Sequence, residues 1–301
     1  MALVTKKSGV SRRERQAIFR GLLFVSPWLV GLLWFYVYPF FASLYYSFHN
    51  TTPFATGAFT GLENYRLLLS DPLFWKSLLN TFYYTGVAVV LGNLFALALA
   101  LLLSQNLRGM TFYRTIFYLP SIVPFVAVSV VWIWILHPQY GIVNYALEWL
   151  GLPTLGWFSD PLWAMPGLII VSLWGTGNMM IIYLAGLLDI PKELHEAATI
   201  DGATAWQRTL RITIPLLTPI ILFNVVIGLI GGLQYFVQPY IITGGGPADA
   251  TLVYALYLYQ NAFSYFRMGY ASAMAWVLFV IIMIVTLLVF RSSGRWVFYR
   301  H

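Results

Sequence analysis

Residues 193–215 read ELHEAATIDGATAWQRTLRITIP. With Asp189 just upstream, Glu193, Glu196 and Asp201 make four of the chain's ten carboxylates, in a protein that is 60% hydrophobic and 9% charged. Asp189-Ile190-Pro191 leads into KELHEAA. The spacing predicts a helix with Pro191 at its first position, where a preset φ and a missing N–H cost nothing, and Glu193 in the first turn, where exposed amides favour negative charge. Gly202 is placed to end that helix in a left-handed conformation, and a second helix is expected over 203–211, before Pro215 and Pro219. The result is a compact helix–turn–helix. Ala197 and Ala198 would let another surface approach its backbone closely, and Glu196 offers a carboxylate to an Arg or Lys on that surface. The stretch reads as a plug for a socket in another protein.

Working outward, the flanks are apolar. A mean hydropathy of +0.76 over 301 residues belongs to a polytopic membrane protein. Crossing about 30 Å of hydrocarbon takes roughly 20 residues of helix, and six runs free of Asp, Glu, Lys and Arg qualify: 21–47, 78–103, 115–136, 163–188, 213–242 and 270–290. The expectation is an all-α membrane protein of six transmembrane helices in one domain, with 189–212 as its acidic loop. Of the 17 basic residues, all but Arg66, Lys76 and Arg267 fall in the two tails, including Lys6, Lys7 and Arg300, or in the loops holding Arg108, Arg114, Lys192, Arg208 and Arg211. The retention of basic residues on the cytoplasmic side then predicts cytoplasmic N and C termini and a cytoplasmic acidic loop. The net charge of +7 is dispersed at span ends, where lipid headgroups explain it, so nucleic acid is not an expected partner. The first run lacks a cleavage pattern and reads as an uncleaved span. With no cysteine, disulfides and thiolate metal sites are excluded.

The loops carry weaker signals. Asp71 before Pro72 marks a helix start. Pro120 and Pro124 predict a kink early in the third span. Ile142, Val143, Ala146, Leu147 and Leu150 share one face of a short interfacial helix that leaves Asn144 and Glu148 off it. ITGGGPADATLVYAL, from residue 242, must turn tightly.

The acidic loop also matches a known pattern. Glu196-Ala197-Ala198, three residues, Gly202, nine residues, Ile212 and then Pro215 resembles the cytoplasmic signature of the membrane subunits of binding-protein-dependent ABC importers, with Ile214 standing where that signature has Leu. GLENYRLLLSDPLFW at 61–75, FYRTIFYLPSIVP at 112–124, HPQYGIVN at 137–144 and ITGGGP at 242–247 resemble the maltose-type, carbohydrate-uptake branch. The resemblance covers about 20–300. It implies the type I permease fold, and that Glu193, Glu196, Ala197, Ala198, Asp201 and Gly202 form a coupling helix docked on a separate ATPase. It also implies sugar contacts at Trp174, Gly175, Asn178, Gly228, Gly232 and Tyr235. The implied partners are a second, related but different permease, two ABC ATPase subunits that bind the ATP and Mg, an extracytoplasmic solute-binding protein and membrane lipid, in the cell membrane of a prokaryote.

What the sequence lacks agrees. No lysine stands in a GxxxxGK[ST] loop, so ATP hydrolysis must come from a partner. No span holds the ionisable group that ion-driven carriers keep, and His49, His137, His195 and His301 form no HExxH-like catalytic set. No catalytic or metal-ligating residue and no cofactor of its own is expected. Span four carries Val171, Trp174, Gly175 and Asn178 on one helical face, and span five carries Asn224, Gly228, Gly232 and Tyr235, with Gln234 and Gln238 beside them. Amides and aromatic rings are the groups that grip sugars. Asn93, alone after Gly92, reads as packing. A permease for a non-sugar solute and a polytopic scaffold outside this family are the remaining readings.

Overall fold

The computed structural model describes residues 12–105 and 108–298. Lys6, Lys7, Arg300 and His301, named above, lie outside the described residues. Among the described residues four helices are long and apolar enough to cross a membrane: Arg12–Ser47, Pro72–Leu103, Ala205–Ile242 and Met268–Ser293. Two bent pairs, Met110–Ile122 with Phe125–Ile135 at 101° and Pro161–Trp174 with Gly177–Leu188 at 47°, each make one more crossing if taken as a unit, and are numbered as the third and fourth. The count is therefore four to six spans.

The bends have local causes. Val123 precedes a proline, whose ring pushes it out of the helical region to φ −69°, ψ 131°. Pro124 follows with ψ 137°. The expected kink is in fact a near right-angled corner. The fourth run, read above as continuous, breaks at 175–176 in a Gly-Thr-Gly sequence of poor helix formers. Gly177 there lies so close to the corner that a Cβ on it would sit 2.8 Å from the Phe117 carbonyl. The fifth run also differs from its reading. The helix expected at 203–211 is not a separate one: Ala205–Arg208 passes through a wide π turn, Thr209–Thr213, into Ile214–Leu233. Pro215 cannot supply the N–H that the ordinary ladder needs, and the wider turn accommodates its absence. The helix then breaks at 234–236 and resumes as Val237–Ile242.

The all-α expectation also missed a hairpin. His49–Thr52 pairs antiparallel with Ala55–Phe59. The short helix expected near 142 is present as Ile142–Trp149, but turned differently. Ile142 and Leu150 are exposed, while Asn144 is buried and accepts from Trp157 Nε1 at 2.9 Å while donating to the carbonyls of Pro138 and Leu155. An amide that closes a loop outweighs its place on a helical wheel.

The helix Pro72–Leu103 is the axis of the bundle. Ala96, Ala100 and Leu103 pack on Met180, Tyr183 and Leu184. Tyr183 Oη donates to Asn93 Oδ1 at 2.6 Å and Asn93 Nδ2 to the Val89 carbonyl at 2.7 Å, so Asn93 does join helices. Gly232 faces this axis so closely that a Cβ on it would stand 2.7 Å from Thr85 Cγ2, and one on Gly228 3.3 Å from Val89. Small residues here let two helix backbones meet. At the far end Asp71 caps the axis by accepting from Leu73 N at 2.9 Å, and its other oxygen accepts from Tyr257 and Tyr270 hydroxyls at 2.5 and 2.6 Å. Burial alone would raise the Asp71 carboxyl, but these donors outweigh it and hold it below its usual 3.8. The segment 243–252 turns tightly, with Gly244, Gly245, Ala248 and Asp249 at positive φ. Lys76 and Asn80 clamp it by donating to the carbonyls of Ala248, Asp249 and Leu252.

Asp71→Ala removes a helix cap and the shared acceptor of two hydroxyls, an expected loss of about 2–4 kcal/mol read as a lower thermal midpoint in detergent; an unchanged midpoint would refute the cap. Because the folded carboxyl lies below 3.8, its contribution is present above that value and fades as pH falls through the lower folded value. Gly232→Ala should lose about 1–3 kcal/mol through overpacking, and adding Thr85→Ala should restore part of it. Failure of that rescue would show that the two helices do not meet there.

Candidate functional site: the acidic elbow and the bundle cavity

The acidic stretch forms an elbow joining the fourth crossing to the fifth. Its helix is Lys192–Ile200, one residue later than expected, because Pro191 adopts ψ 132° and stands just outside as the N-cap. Glu193 lies in the first turn. Gly202 takes φ +78°. Its N–H reaches the Thr199 carbonyl and the Ala203 N–H the Ala198 carbonyl, at 3.1 and 2.9 Å, which satisfies carbonyls that the helix end leaves open. Thr204 and Gln207 then cap the next helix reciprocally. The Arg208 guanidinium donates to Thr199 Oγ1, tying the elbow helix to the helix that becomes the fifth crossing.

Glu193, Glu196, Ala197, Asp201 and Gly202 are exposed, and Ala198 is half-buried. Among the described residues, neither Glu193 nor Glu196 has an ion-pair partner. Beside them stand Ile200, 87% exposed, and Trp206, 70% exposed. The sequence reading did not single out these two. An exposed aromatic beside free carboxylates is the composition of a contact surface.

Deeper in the bundle lies a cavity of about 560 Å³. Trp174, Gly175 and Asn178 reach it from the fourth crossing, and Gly228, Gly232, Gln234 and Tyr235 from the fifth. These seven sites were marked in the sequence and are brought together. The lining does not include Asn224, which is 2% exposed, and whose Nδ2 has no acceptor among the described residues. Gly228 and Gly232 border the cavity while their missing side chains face Val89 and Thr85, so packing also requires them small.

The structure adds residues that the sequence reading missed. Tyr84 stacks on Tyr235 with centroids 3.8 Å apart and planes 10° from parallel. Ser121, on the corner of the third crossing, places its Oγ 3.5 Å from Asn178 Oδ1, and Trp132 meets Trp174 edge-on at 6.1 Å. Tyr84 was legible only as one aromatic among many in an apolar run. Its role depends on standing opposite Tyr235, which is a tertiary fact. Among the described residues, none of those lining the cavity is Asp, Glu, Lys or Arg. Rings and neutral amides around an uncharged space can stack on and hydrogen-bond a neutral polar solute.

The family of binding-protein-dependent transport system inner membrane components matches residues 88–298. A probable ABC transporter permease of Bacillus subtilis is 44% identical over 299 residues, covering 98% of this chain and 96% of that one. The sulfoquinovosyl glycerol transport permease of Agrobacterium fabrum is 36% identical over 90% of this chain and 89% of its own. The trehalose/maltose transport permease of Thermococcus litoralis is 34% identical over 91% and 93%. A chain in the crystal structure of a bacterial alginate ABC transporter, in complex with its alginate pentasaccharide-bound periplasmic protein, superposes with a TM-score of 0.80 at 25% identity, over 94% of this chain and 96% of that one. The chain belongs to this family: it is a mostly helical membrane permease of an ABC importer, with the type I fold.

Proposed function

We propose that the chain is one of two related, non-identical permeases that carry a sugar or oligosaccharide into a prokaryotic cell. It crosses the membrane six times with both termini in the cytoplasm, the bent pairs each counting as one span. The observation that carries the substrate class is the uncharged cavity of rings and amides, Trp174, Tyr84, Tyr235, Asn178 and Gln234, and the trehalose/maltose and lactose transport names of two relatives agree with it. An extracytoplasmic binding protein delivers the solute to the outer loops. Two separate ATPase subunits bind the ATP and Mg, and each permease presents one elbow to one of them.

In this reading the elbow is the handle. Glu196 pairs with a basic group on the ATPase, Glu193 and Asp201 flank it, Ala197 and Ala198 allow close approach, and Gly202 keeps the elbow sharp. The elbow helix is tied by Arg208 to a helix continuous with Ile214–Leu233. Movement of the ATPases is therefore delivered to the helix that carries Gly228 and Gly232, and reaches Tyr235 just past its end. Side chains at the cavity then exchange between an inward and an outward opening.

Reconstituted with its partner subunits and binding protein, the permease should take up the sugar that the binding protein holds, in an ATP-dependent way. Uptake of an amino acid or an apolar solute, with no sugar, polyol or glycerol phosphate carried, would overturn the substrate class. Glu196→Lys should insert normally but lose about 2 kcal/mol of docking, roughly 30-fold in affinity for the ATPase. ATP hydrolysis would then no longer follow addition of the loaded binding protein; a variant with wild-type uptake would rule out Glu196 as the contact.

A further inference from the structure

The antiparallel seam between the axis helix and the fifth crossing keeps one register. Gly232 faces Thr85 and Gly228 faces Val89, so each step of four residues along one helix meets four back along the other, which sets Asn224 level with Asn93. A third side chain enters at that level from the fourth crossing. It is Tyr183, fully buried, whose Oη donates to Asn93 Oδ1 at 2.6 Å. Two amides and a phenol thus meet in an apolar interior, with Asn224 2% and Asn93 8% exposed.

The node is incomplete. Asn93 is satisfied at both ends, since its Oδ1 takes the Tyr183 hydrogen and its Nδ2 donates to the Val89 carbonyl. The Tyr183 hydroxyl has given away its hydrogen and still has a lone pair to offer. Asn224 lies beside that hydroxyl, yet no hydrogen bond of ordinary geometry joins them, and Asn224 Nδ2 has no acceptor among the described residues. A buried donor left unpaired is costly. A small approach of the fifth crossing to the fourth would close the relay from Asn224 Nδ2 to Tyr183 Oη to Asn93 Oδ1, in which each bond polarises the next. Those two crossings are the ones that the elbow Lys192–Ile200 joins.

We propose that Asn224 and Tyr183 are positioning residues of the transport cycle: the relay is open in the arrangement of this structure and closes in the alternate one, when the elbow draws the fourth and fifth crossings together. The inference rests on the reading of the elbow as a handle. It gives the unpaired amide a use that packing alone does not, since a leucine would fill the same space and leave no donor stranded.

The complex of permeases, ATPases and binding protein is reconstituted, and ATP hydrolysis is measured with and without the binding protein, beside the thermal midpoint in detergent without nucleotide. Asn224→Leu removes an unpaired donor at nearly constant volume, so the midpoint should hold or rise, while stimulated hydrolysis falls about 10-fold. Tyr183→Phe should lower both, because it also removes a bond already made. Adding Asn224→Leu to Tyr183→Phe should reduce hydrolysis little further, the relay being already cut. A midpoint several degrees lower in Asn224→Leu shows that the amide already has its partner and overturns the proposal, as does hydrolysis that does not fall, or full additivity of the two losses. A wild-type complex whose hydrolysis ignores the binding protein overturns the handle reading itself, and this proposal with it.

Discussion

Inside hydrocarbon a backbone group without a hydrogen-bond partner costs several kcal/mol, and the geometry of this bundle follows from that constraint. Three crossings are nevertheless interrupted, at 123–124, 175–176 and 234–236. All three breaks border the same cavity. Their freed groups are answered locally: Ser121 Oγ donates to the Tyr118 carbonyl, Thr176 Oγ1 to Leu173, and the N–H groups of Gln234 and Tyr235 to Gly231 and Gly232. Irregular backbone at such depth survives only where protein or a cavity covers it, and here the cavity is built from the breaks themselves.

The axis helix Pro72–Leu103 makes those breaks affordable. It runs unbroken for 32 residues and meets the fourth and fifth crossings through small residues, Ala96 and Ala100 on one side and Gly228 and Gly232 on the other. Close backbone approach substitutes for the hydrophobic drive that lipid cannot supply between helices. The Asn93–Tyr183 hydrogen bond adds a polar tie across the same contact. At the Pro72 end Asp71 accepts from Tyr257 and from Tyr270 of the last crossing, which holds the axis to it. The axis therefore runs through the centre of the bundle, while the elbow joins two of the helices that line the cavity.

The elbow owes its shape to local contacts. Its helix is only 9 residues long and would be marginal alone. The Gly202 turn, the Thr204–Gln207 cap and the Arg208–Thr199 contact define its angle to the next helix. The π turn at Thr209–Thr213 lies on the route into the bundle, a one-turn widening of the kind frequent at functional sites.

The sequence by itself determined the membrane class, the elbow with its Gly202 turn, the Asp71–Pro72 helix start and the two polar faces, because each rests on hydropathy, on a residue's own φ preference or on 3.6-residue periodicity. These are local properties. Only the tertiary structure decided that Pro124 makes a corner, that the Gly-Thr-Gly segment breaks a crossing, that Tyr84 stands against Tyr235, and that Asn144 and Asn224 turn away from solvent and cavity. Pair contacts between distant segments leave no periodic trace in either segment. The hairpin escaped for a related reason: its strands are too short to show alternation, and what holds them is Asn64 and the gap at Gly269, residues of two other elements.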